Sequence, residues 1–189
     1  MALEFYVEQA DRAPESGLAN ESIYAGELAF DDGDGVDVFT YALADGADGN
    51  RVGLARYDAQ AMAAETMEDV VEPVYDAGQR VQYQALEDSA RFRIRTAENN
   101  GTDPAPNIGH KDVVGVIDAS GGTASSADEF QGRVVEEGYT DDSGTTYDRS
   151  TGNFIALGTA YRPEKRPAPT ETVDYDYPVR VTVFGEPKA

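Results

Sequence analysis

The chain has no cysteine and no tryptophan, and only three lysines and one histidine among its 189 residues. Without thiols there can be no disulfide, iron–sulfur cluster, cysteine-ligated zinc or thiol nucleophile. A single histidine, His110, excludes a three-histidine zinc centre and obliges any Ser-His-Asp mechanism to use that one residue. Without tryptophan, a sugar cleft would have to be built on tyrosines. No apolar run approaches the ~18 residues that suggest a membrane span. The start, MALEFYVEQADR, has neither a basic n-region nor an apolar h-region; it alternates like a strand and does not read as a signal peptide. There is no phosphate loop, dinucleotide fingerprint or G-x-S-x-G elbow. These gaps leave little room for an enzyme.

Acid is abundant. Asp plus Glu is 36 against 15 Lys plus Arg, a net charge of −21. Such a balance lacks the basic stripe a nucleic-acid surface requires. It does not imply disorder, because eleven Tyr, seven Phe and several alternating β-branched runs supply a core. Twelve of the fifteen basic residues are Arg, and Asp (20) outnumbers Glu (16). Short carboxylates hold water and cations near the surface, and concentrated salt screens their repulsion to ~3 Å. The composition therefore reads as that of a protein from a high-salt cytoplasm, not of a thermophile rich in Lys and Glu.

The dominant pattern is period two, punctuated by Gly, Asp and Pro. Strands are expected at 3–9, 23–30, 36–43, 51–57, 79–86, 90–97, 112–118, 130–137, 153–161 and 172–184. In the last, Val179, Val181 and Val183 share a face opposite Arg180 and Thr182. One segment, YDAQAMAAETMEDVVEP, is rich in Ala, Met and Glu, with Asp58 as N-cap and Pro73 as boundary. It predicts a short helix over 58–70. The stretches 97–111, 119–128 and 162–171 read as loops or an extended arm. The expected fold class is mainly β: an antiparallel β-barrel or sandwich with one short helix and extended loops. It forms one domain, 1–189, with sub-units 1–97 and 112–189 joined by loop 98–111. No convincing repeat is visible, although AGELAF and AGQRVQY both look like a turn feeding a strand.

FDDGDGVDVF places Asp31, Asp32, Asp34 and Asp37 within eight residues. The spacing fails an EF-hand loop, since Val36 and Asp37 fall where an oxygen ligand and the glycine belong. Asp-Gly between two alternating runs is instead a strong hairpin signal. The four aspartates are expected to form a turn that holds cations loosely, with no cofactor otherwise implied. His110 lies in a Gly/Pro-rich loop, and DASGG around Ser120 lacks the Gly-Asp of a serine-protease nucleophile loop. That pair is not a triad. Carboxylate pairs for glycoside chemistry are everywhere and none is singled out.

Scarce basic residues are more informative. In ARFRIRTA, Arg91, Arg93 and Arg95 alternate, so a strand would carry all three on one face. They either pair with acids on neighbouring strands or form a contact patch for an acidic partner. Arg162, Lys165 and Arg166 form a second cluster in the Pro-rich arm, read either as a docking segment or as a solvated loop.

The units YAGELAF, DAGQRVQYQAL and DVVGVID resemble the turn–strand units of capsid decoration (cement) proteins of tailed viruses, here one infecting salt-loving archaea. The resemblance covers about a third of the chain. It implies a non-catalytic virion protein on the outer face of an HK97-type shell, bound to the major capsid protein, often as a homotrimer. Arg91, Arg93, Arg95 or the 162–166 arm would then make the contact. Other readings are a tail-tube, connector or turret subunit, or a cellular β-barrel module with a small ligand.

Overall fold

The computed structural model describes residues 7–10, 13–41, 52–56, 74–97, 106–119, 130–163 and 178–188. Strands in chain order are β1 (Val7–Gln9), β2 (Glu15–Leu18), β3 (Ile23–Tyr24), β4 (Leu28–Asp31), β5 (Val36–Val38), β6 (Val52–Ala55), β7 (Val74–Tyr75) and β8 (Arg80–Ala85). The second half supplies β9 (Arg91–Arg95), β10 (Val113–Ile117), β11 (Val135–Glu136), β12 (Tyr139–Thr140), β13 (Thr146–Tyr147), β14 (Phe154–Pro163) and β15 (Pro178–Lys188).

Two antiparallel sheets carry the fold, one ordered β2-β8-β6-β4-β5 and one ordered β1-β9-β15-β14-β10-β11. Both are open. The mainly β class holds, but the open sheets correct the expectation of a closed barrel, and the expected short helix is corrected as well. No helical element stands among the described elements, and the expected helix at 58–70 lies outside the described residues. The sheets stay open because the strands that would close each one meet at a single parallel pair, Ala19↔Val36 in one and Thr96↔Val134 in the other. One pair is too little for a ladder.

The alternation seen in the sequence is met by burial on both faces. Leu28, Val52 and Leu54 of the first sheet pack with Phe92, Ile94, Val114, Val116, Val179 and Val181 of the second in one large core. A second core lies on the other face of the first sheet, around Ile23, Val36, Tyr75, Val81 and Tyr83. A third surrounds Phe130, Tyr139, Tyr147 and Phe154. Each fully buried Val, Leu, Ile or Phe stabilises the fold by ~1.5–3 kcal/mol. The core between the sheets is therefore what fixes one on the other.

The two sheets are built alike. In each, the first strand pairs the fifth, the fifth the fourth, the fourth the second and the second the third, all antiparallel. The registers also agree. Ser16↔Gln82 recurs as Arg93↔Arg180, Ala55↔Tyr83 as Ala160↔Val181, and Ala29↔Gly53 as Val114↔Gly158. Ala29↔Val38 recurs as Val114↔Glu136, and the bridge Ala19↔Val36 as Thr96↔Val134.

The turn before the second strand repeats atom for atom. The Glu27 carboxylate accepts from Tyr24 N at 2.8 Å, as the Asp112 carboxylate accepts from Gly109 N. Gly26 N donates to Ala55 O at 2.8 Å and Lys111 N to Ala160 O at 2.7 Å. The return bonds, Ala55 N to Glu27 O and Ala160 N to Asp112 O, are both 2.9 Å. The third turn residue has positive φ in each, 90° at Gly26 and 71° at Lys111. The described residues thus contain two copies of one five-stranded unit, β2, β4, β5, β6 and β8 in the first and β9, β10, β11, β14 and β15 in the second, with β1 added to the edge of the second sheet.

Candidate functional site

β9 carries the three alternating arginines, but the structure divides them. Arg91 is exposed and stacks on the Tyr161 ring with Cζ 5.1 Å from its centroid. Arg93 is half-buried. Arg95 is fully buried. Its Nε donates to Ala25 O at 2.6 Å, its backbone N donates to Gly26 O at 2.9 Å, and its guanidinium lies 5.5 Å from the Tyr24 ring centroid. Period two places these residues on one face, but the turn of the first unit covers the end of that face. The docking role expected of Arg95 is therefore corrected: it joins the two units.

Arg95 belongs to a buried charge cluster with Glu27 and Arg133. Arg133 Nε lies 3.2 Å from Glu27 Oε1, with both side chains almost wholly buried. Burial pushes the Glu27 carboxyl up to about 7, against the pull of Arg133, the Tyr24 amide and Arg95. Loss of hydration outweighs two nearby cations.

The other arginines form a feature the sequence spacing did not show. Across three adjacent strands, Arg93 of β9 faces Arg180 of β15, and Arg180 faces Arg162 of β14. One rung of the ladder thus carries three arginines, with Arg91 on the next rung but one opposite Thr182. Arg180 is half-buried, as Arg93 is. Arg180 was legible only as the polar side of its strand; the antiparallel register puts it between the two expected clusters. Lys165 and Arg166 lie outside the described residues. Like charges directly opposite on a sheet are destabilising on their own, and both Arg93 and Arg180 have interactions within the chain that offset this.

The aspartate stretch is a hairpin. Asp32 Oδ1 accepts from Asp34 N at 2.8 Å and Gly35 N at 3.2 Å, and Asp31 Oδ1 accepts from Gly33 N at 2.8 Å. Asp31 Oδ2 accepts from Tyr83 OH at 2.6 Å, and Asp37 Oδ2 from Asn20 Nδ2 at 3.1 Å. The carboxylates of Asp31, Asp32 and Asp37 accept from separate donors, and none of these bonds uses the Asp34 carboxylate. Among the described residues no group of three or more His, Asp or Glu is arranged to hold a metal ion.

His110 is exposed on the second unit's turn, its Nδ1 2.8 Å from Tyr161 O. Ser120 lies outside the described residues. No family model matches the chain, and no curated protein matches it.

Proposed function

We propose that this protein is a structural component of a virion, a decoration protein that docks on an acidic shell protein through one face of its second sheet. The observation that carries the reading is the cross-strand row Arg93–Arg180–Arg162, flanked by Arg91 on Tyr161. Leaving out the buried Arg95, four of the twelve arginines of a chain with net charge −21 stand on three neighbouring strands. A rigid sheet holds their spacing, and guanidinium forks suit bidentate contact with carboxylates. Contact pairs remain effective in strong salt, where longer-range attraction is screened. Of the units that resemble those of decoration proteins, YAGELAF spans the turn and second strand of the first unit and DVVGVID the second strand of the second unit.

The test is attachment of the full chain to shells stripped of it, in molar salt. Substituting Arg93→Ser with Arg180→Ser, and leaving buried Arg95 intact, should weaken attachment by more than tenfold, the usual weight of two central interface arginines at about 2 kcal/mol or more. The circular dichroism of the sheet should be unchanged. Attachment at wild-type strength would overturn the docking face. Loss of the fold would show that the row serves intramolecular pairing instead.

A further inference from the structure

The contact between the two units runs head to tail. The first unit presents its Tyr24–Leu28 turn, and the second receives it at the end where β9 and β11 meet. Leu28 N donates to Gly132 O at 2.7 Å, Gly132 N donates to Phe39 O at 2.8 Å, and Arg95 and Arg133 close on Ala25, Gly26 and Glu27. In exchange, Ala25, Gly26 and Glu27 are buried.

A head-to-tail contact between two equivalent units leaves one unused surface of each kind. The second unit has the same turn, Gly109–Asp112, yet there His110 and Lys111 are exposed where Ala25 and Gly26 are covered. The first unit has the same receiving end, where β2 and β5 meet at Ala19↔Val36. By register, Leu18 stands there in the place of Arg95. It is 55% exposed, the one large hydrophobic exposed among the described residues. The Asp32–Gly35 loop enters β5 as Phe130–Arg133 enters β11, and Asp32 and Asp34 are exposed.

The two free surfaces differ in charge. The unused turn offers Lys111 and His110, while Asp112 is tied to its own Gly109 amide. The unused receiving end offers exposed Asp32 and Asp34 on the loop into β5 and exposed Leu18 at the end of β2. Among the described residues, neither the Lys111 ammonium nor the Asp34 carboxylate has an ion-pair partner. The internal contact has the opposite sense, an acid on the turn and arginines at the receiving end. A turn of one sense therefore does not compete for the other's receiver, which is how charge fixes pairing register.

We propose that copies of this chain associate head to tail, the Gly109–Asp112 turn of one docking on the Leu18 and Asp32–Gly35 end of the next. This sets turn against receiving end as within the chain, with the charges exchanged and with the Asp34 amide, unlike that of Gly132, held by Asp32 Oδ1. Such a heterologous contact either closes into a ring or runs on as a filament, and it stands independently of any shell.

The experiment is sedimentation of the purified full chain in molar salt over a range of concentrations. The wild type should show species larger than one chain. Leu18→Asp and Lys111→Glu, both exposed positions, should each weaken association about tenfold or more, the effect of losing a central contact. Combining Lys111→Glu with Asp34→Lys in one chain should recover association, because each reversed charge meets its complement on the next copy. A wild type that sediments as one chain at every concentration overturns the proposal. So does association that both single substitutions leave unchanged, or that the charge exchange fails to recover.

Discussion

Gly53 and Gly158 occupy the same register position in the two sheets, and neither has room for a side chain. A Cβ at Gly53 would lie 2.7 Å from Gln84 O and 2.8 Å from the Tyr83 ring. At Gly158 it would lie 2.4 Å from Thr182 O and 2.5 Å from Val181. The obstacles are equivalent residues of the fifth strand. In each unit the fourth strand passes the fifth too closely for any residue but glycine. Gly53→Ala and Gly158→Ala should each destabilise the chain by ~1–3 kcal/mol, as overpacked cores do, measured by denaturant midpoint. If either alanine is neutral, the two strands are not held this closely.

Glu27 should make stability fall as pH rises. Its folded value of about 7 lies above the ordinary 4.5. The native state therefore binds the proton more tightly than the unfolded chain, and the contribution is complete below pH 4.5 and lost as pH climbs through 7. At 1.36 kcal/mol per unit the change is roughly 3 kcal/mol. The stability of the wild type relative to Glu27→Gln should fall by about that order from pH 4.5 to 7.5. A wild type that holds level with the variant, or gains on it, as pH rises would mean that the arginines, and not burial, set the carboxyl.

Arg133 tests the same cluster from the other side. Arg133→Met keeps the aliphatic stem and removes the nearest cation to Glu27. Breaking a buried pair in this way costs about 3–5 kcal/mol when the remaining charge stays ionised. The loss should be greatest above pH 7 and smaller near pH 4.5, where Glu27 is neutral. Equal destabilisation at both pH values would point to lost packing alone.

The net charge of −21 should tie folding to salt. Self-repulsion extends over ~10 Å at 0.1 M and ~3 Å at 1 M. Thermal midpoints should therefore rise steeply between tens of millimolar and molar salt, with little dependence on which alkali cation is used. A salt-independent midpoint would remove the high-salt reading of the composition.

Much of the sheet architecture was legible in the sequence. Strands appear at Arg80–Ala85, Arg91–Arg95, Val113–Ile117 and Phe154–Pro163, where alternation is strong. β2 was missed because Glu-Ser-Gly-Leu has no apolar alternation; it forms because β8 offers a full ladder to its backbone. The repeat was hidden for a related reason. It is held by main-chain bonds at Gly26 and Lys111, Glu27 and Asp112, which different side chains satisfy equally well. The hairpin at FDDGDGVDVF followed from Asp-Gly chemistry. Arg95 could not be placed from spacing, since parity assigns a residue to a face without saying what covers that face. The Arg93–Arg180–Arg162 row needs the pairing of three strands far apart in sequence, which no local pattern contains.

The most direct measurement of the proposed role is sedimentation of the native protein from its source in molar salt. Recovery in many copies with capsid-sized particles is the expected result. Recovery only as a small free species, with particles of full size present and lacking it, would contradict a place on the shell.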